Sequence, residues 1–106
     1  EIKRDLGDQA GIAKSLHQLG IIAQDQGEHQ QAKELYNQSL EIERTLGDQA
    51  GIAASLFQLG RVAEDEGKSD EAIRLFKESL AIAEKLDVPE AEMVRQALAR
   101  VSKEKE

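Results

Sequence analysis

Leu6–Gly20 reads LGDQAGIAKSLHQLG, and Leu46–Gly60 reads LGDQAGIAASLFQLG. The two stretches lie forty residues apart and differ at two positions, Lys14 against Ala54 and His17 against Phe57. The match continues beyond them. EIKRDL at 1–6 corresponds to EIERTL at 41–46 and, more loosely, to AIAEKL at 81–86; AKELYNQSLEI from Ala32 corresponds to AIRLFKESLAI from Ala72. A fixed period of about 20–50 residues marks a repeat architecture, in which each unit buries its apolar face only against its neighbours.

Punctuation divides each unit into two helices. Gly7 and Gly47 follow apolar-periodic runs and suit the left-handed residue that ends a helix, leaving Asp8 and Asp48 to cap the next one. The first helix carries Ile12, Leu16, Leu19 and Ala23 at helical spacing, and Gly27 and Gly67 close it. The second starts near His29 in one copy and at Ser69 in the other, where Ser69 reads as a cap ahead of Asp70 and Glu71. Its stripe runs through Ala32, Leu35, Tyr36, Ser39, Leu40 and Ile42, and again through Ala72, Leu75, Phe76, Ser79, Leu80 and Ile82. Small residues at Gly20, Ala32 and Ser39 mark where two helix backbones come close.

The ends break the pattern. Residues 1–6 read as the end of a preceding repeat helix, and the first residue is not Met, as expected of an excised segment. After units 7–46 and 47–86, residues 87–106 leave the register. Pro89 suits a first helical turn, and Ala91, Val94, Leu98 and Val101 make one apolar face, as expected of a capping helix.

Composition agrees with an all-α chain, because the apolar content is mostly Ala, Ile and Leu, and Pro occurs once among 106 residues. The formal charge of −7 argues against nucleic acid and against an anionic membrane surface, since phosphate binding needs clustered Lys and Arg. There is no cysteine, no run of about 18 apolar residues and nothing like a signal peptide at the start, so a cytoplasmic protein is expected.

These residues resemble the tetratricopeptide repeat. The matches are Leu16, Leu19, Gly20, Gly27, Ala32, Tyr36 and Ser39, then Leu56, Leu59, Gly60, Gly67, Ala72, Phe76 and Ser79. The forty-residue unit and its LGD lead-in are similar to the extended subtype of kinesin light chain and the G-protein-signalling modulators. Leu stands where the family commonly has Trp, Ala23 and Ala63 where it has Tyr, and no Pro ends either unit. The resemblance implies a right-handed superhelical α-solenoid of antiparallel helix pairs, acting as a scaffold for protein–protein interaction.

Within the first helix the copies differ at 14, 17, 21, 22, 24 and 26, and the spacing of 14, 17, 21 and 24 lines one face. A solvent face free to drift is the plainer account. Ile21 and Phe57 weigh against it, being large apolar groups on that face. The resemblance implies that Lys14, His17, Ile21, Gln24 and Asp25, with Phe57, Arg61, Glu64 and Asp65, line a concave groove for a partner peptide, and that Gln18 and Gln58 meet its backbone. Asp25, Glu64 and Asp65 close their helices against the dipole and would give the groove an acidic end.

Chemistry finds no footing. His17 and His29 fall in different helices, GDQAG lacks the Gly-Lys-Ser/Thr of a phosphate loop, and EDEGKSDE at 64–71 lacks the alternating ligands of a calcium loop. No enzyme activity, cofactor or metal is expected. The competing function is structural: a spacer whose N-terminal end, around Ile2, Leu6, Ile12 and Leu16, recruits other repeats or a second copy, giving a homo-oligomer.

Overall fold

A computed structural model describes residues 6–105 of the chain. Five helices follow one another: α1 (Leu6–Asp25), α2 (His29–Leu46), α3 (Gln49–Asp65), α4 (Ser69–Leu86) and α5 (Glu90–Lys105), with no strand among the described residues. None is long and apolar enough to cross a membrane. Each helix packs chiefly on its immediate neighbours in sequence, so that α1–α2 and α3–α4 form antiparallel pairs and the stack measures 54 × 32 × 18 Å. The fold is an all-α helical-repeat solenoid.

The turns have one construction. After α1, Gly27 N–H donates to the Gln24 carbonyl and Glu28 N–H to that of Ala23; after α3, Gly67 and Lys68 donate to Glu64 and Ala63. These paired bonds satisfy carbonyls that a helix end leaves open. They require a left-handed residue, and Gly27, Gly47 and Gly67 have φ of 76°, 72° and 79°. Asp87 takes the same conformation at φ 56° without being glycine.

Two local expectations are corrected. Lys68, not Ser69, occupies the cap position of α4, and Ser69 is the first helical residue. The turn dictates this, because Lys68 N–H closes α3 while its carbonyl accepts from Ala72 N–H at 3.0 Å, opening α4. In the first copy Gly7 and Asp8 lie inside α1 rather than at a break, whereas Gly47 ends α2 and the Asp48 carboxylate accepts from Gly51 N–H at 3.0 Å. The turn at Gly47–Asp48 is held by the carbonyls of Glu43 and Arg44, and the counterparts of those carbonyls lie outside the described residues.

One core runs through the stack. Ala32, Tyr36, Ala72 and Phe76 are buried, as are Ser39 and Ser79. Tyr36 and Phe76 lie flat against glycines: a β-carbon at Gly20 would stand 2.8 Å from Tyr36 Cε1, and one at Gly60 2.6 Å from Phe76 Cε1. Ser39 and Ser79 hydroxyls donate across each pair to the carbonyls of Ala13 and Ala53, at 2.9 and 2.8 Å. The small residues at the crossing therefore admit both a ring and a backbone contact. Ala91, Val94, Ala97 and Val101 of α5 are buried, with Leu98 packed at the edge.

Candidate interaction groove

The first helix of each pair carries the face that varies between copies, and its side chains have distinct neighbours. On α1, Lys14, Gln18, Ile21 and Asp25 are exposed, while His17 and Gln24 are half-buried. The His17 ring stands edge-on to Tyr36 at 5.3 Å, and the Tyr36 hydroxyl donates to Gln24 Oε1 at 2.6 Å. Burial holds the imidazole below its ordinary pKa and favours the neutral ring. It also lifts the Tyr36 phenol to about 12, opposed by nearby Arg61 and aided by Asp25.

On α3 the same positions are apolar or ionic. Phe57 replaces His17 and tilts against Phe76 at 5.6 Å. Phe76 has no hydroxyl to offer Glu64, the counterpart of Gln24. Instead Arg100 of α5 holds Glu64 with two bonds, at 2.9 and 2.8 Å. The pair substitutions are thus matched: His17 and Gln24 accompany Tyr36, and Phe57 and Glu64 accompany Phe76. Glu64 is committed to α5, and a partner's cation there would compete with Arg100. The neighbouring Glu66 is paired with Lys33 at 3.1 Å and Lys68 at 3.5 Å, which holds its carboxyl below the usual range and lifts the Lys33 amine. Asp65 is exposed.

Phe57, Gln58 and Arg61 come together on one wall of a cleft of about 490 Å³ between α3, the end of α4 and α5. Ala50, Ala53 and Ala54 extend that wall; Leu86, Val88, Met93 and Val94 form the opposite one, with Ser79 and Ala83 lining it from α4 and Glu90 at the start of α5. Leu86 and Met93 are 39 % and 52 % exposed. Gln58 Oε1 is buried without a hydrogen-bond partner among the described residues. Arg61 is exposed and makes no salt bridge among the described residues. Lys14, His17, Gln18, Ile21, Gln24 and Asp25 line no part of this cleft.

The α5 wall was invisible to sequence reasoning. Residues 87–106 break the repeat register, and Met93 lies outside the apolar face that the spacing assigns to the cap. The signal available was a large apolar residue outside the stripe of Ala91, Val94, Leu98 and Val101.

Toward the N-terminal end, Ile12 is 41 % exposed and Leu16 half-buried; Ile2 and the side chain of Leu6 lie outside the described residues. Leu19 and Ile22 extend this patch, at 51 % and 52 % exposed. Among the described residues no group of three or more His, Asp or Glu side chains is placed to hold a metal ion.

A family model described as tetratricopeptide repeat matches residues 6–85. No curated protein matches the chain.

Proposed function

Since the chain belongs to the tetratricopeptide repeat family, whose repeats generally mediate protein–protein interactions, we propose that it is a scaffold whose cleft between α3 and α5 receives a partner peptide. The observation that carries this reading is Gln58. Gln58 lines an otherwise largely apolar cleft, and its side-chain oxygen is buried with no partner among the described residues. A buried acceptor left unpaired costs about 1–3 kcal/mol, a penalty that is relieved if the Gln58 amide turns into the cleft and accepts from a backbone N–H of a bound peptide.

The cleft also suggests the ligand. Phe57, Leu86 and Met93 offer an apolar seat for one or two side chains, and Arg61 at the rim offers a cation for an adjacent carboxylate. The partner is therefore a peptide with an apolar anchor and an acidic neighbour. Lys14, His17, Gln18, Ile21, Gln24 and Asp25 on α1 extend the same face of the preceding unit. We assign the units to 7–46 and 47–86 of the extended forty-residue subtype, with 87–106 closing the stack and supplying one wall of the cleft.

A second reading rests on a separate observation. Ile12, Leu19 and Ile22 are exposed while their counterparts Ile52, Leu59 and Val62 are buried under α2. This face would stack on another repeat or copy, making the segment a spacer or assembly element.

A peptide-display selection separates the two. It is run on the natural chain, on Phe57→Ala with Arg61→Glu, and on Gln58→Leu. Acidic, apolar-anchored peptides enriched by the natural chain should weaken at least about tenfold on both variants, a loss of about 1.4 kcal/mol, with helicity unchanged. Enrichment indifferent to the variants overturns the cleft. No enrichment, with a mass that rises with concentration, leaves the stacking reading.

A further inference from the structure

We infer that Glu43 is a buried proton latch: its uncharged carboxyl ties α1, α2 and α3 together, and its ionisation loosens the joint between the two helix pairs. Glu43 is 6 % exposed at the crossing of α2 and α3. Its Oε1 lies 2.8 Å from the Ser55 hydroxyl of α3, and its Oε2 lies 3.0 Å from the Ser39 hydroxyl of α2. Ser39 Oγ is also 2.9 Å from the Ala13 carbonyl of α1.

Hydrogen counting distinguishes the two protonation states. A serine hydroxyl has one hydrogen to donate. Ser79, at the matching place in the second pair, gives its hydrogen to the Ala53 carbonyl at 2.8 Å, with Ala83 where the first pair has Glu43. The Ser39 hydrogen goes the same way, to Ala13. The contact between Ser39 Oγ and Glu43 Oε2 then needs its hydrogen from the carboxyl. While Glu43 is neutral the chain of donors runs from Ser55 to Glu43, from Glu43 to Ser39 and from Ser39 to Ala13, and only then are all three helices tied together. Loss of that proton to solvent sets two oxygen lone pairs against each other, or turns the Ser39 hydrogen away from Ala13 and drops the tie to α1.

The surroundings favour the neutral form. Among the described residues, the hydrogen-bond partner that α1 offers the network is the Ala13 carbonyl and the one from α3 is the Ser55 hydroxyl, with Gly51 of α3 packed against the Glu43 carboxyl. The turn between α2 and α3 contributes Asp48, a like charge, while Arg44 of α2 is turned outward to Glu78 at 3.8 Å. Burial foremost, and then Asp48, push the Glu43 carboxyl above its ordinary pKa, against the Ser55 hydrogen bond that pulls it down. A carboxyl raised on folding contributes stability that is complete below the unfolded-state pKa. That stability is lost as pH rises through the folded-state value.

The test is a carboxyl-carbon NMR titration of the intact natural chain from about pH 4 to about pH 8, with urea unfolding of the same chain and of Glu43→Gln over the same range. Glu43 should titrate above the exposed glutamates. Glu43→Gln, whose amide supplies the same donor and acceptor permanently, should gain on the natural chain by about tenfold in folding constant per pH unit between the two Glu43 pKa values, then level off. Titration of Glu43 with or below the exposed glutamates overturns the proposal even if Glu43→Gln fails to fold. A pH-independent gap between the two chains overturns it equally.

Discussion

Gly11 and Gly51 occupy the same position of the same fifteen-residue stretch, yet they answer differently to one added methyl. A β-carbon at Gly11 meets nothing within 4 Å, while at Gly51 it would collide with the Asp48 cap carboxylate. Gly11→Ala should therefore stabilise the chain by about 0.5–1 kcal/mol, the usual gain of alanine over glycine within a helix. Gly51→Ala should cost about 1–2 kcal/mol by displacing the cap, which offsets any propensity gain. Urea unfolding of the two variants checks both signs; equal effects would contradict the difference between the α1 and α3 starts. At this scale the repeat letters were a sound guide to Gly20, Ala32 and Ser39, whose small size answers a ring and a backbone in each pair. They put Gln24 and Glu64 on the groove face but were silent on what each bonds. These share a column but bond Tyr36 and Arg100 respectively, because the side chain each meets lies on another helix.

Asp87 bears on the helices as elements. It stands forty residues after Gly47 and ends α4 as Gly47 ends α2, with its N–H on the Glu84 carbonyl at 3.1 Å. Its φ of 56° places a side chain where L-residues are disfavoured, although Asp tolerates the region better than most. Asp87→Gly should stabilise by about 0.5–1 kcal/mol and raise the melting temperature by roughly 2–6 °C in thermal unfolding followed by circular dichroism. No change would mean that the conformation is relieved by contacts around α5. The elements themselves were legible from sequence, since glycines, helix formers and apolar period act locally. Their first residues were less so: Lys68 displaced Ser69 as a cap because the turn fixes which residue lies between two helices.

The whole molecule is a one-dimensional stack, and its energetics follow position along it. Leu59 and Leu19 are the same letter in the same motif, at 7 % and 51 % exposed. Leu59→Ala should cost about 2–5 kcal/mol, as buried leucines do, and Leu19→Ala less than about 1 kcal/mol. Chemical denaturation of both variants at low protein concentration tests this, and similar losses would show that α1 is covered in solution. By itself the sequence determined the all-α repeat, the left-handed glycine turns and the small residues at each crossing. These depend on neighbours a few residues away or on a pattern written twice. Tertiary structure alone decided which of two identical side chains is buried and that α5 supplies a wall of the cleft. It also decided that Arg100 takes up Glu64 and that Glu43 is enclosed between serines. Each of these depends on which helix lies alongside, and burial, ion pairing and proton affinity are properties of that contact rather than of the letter.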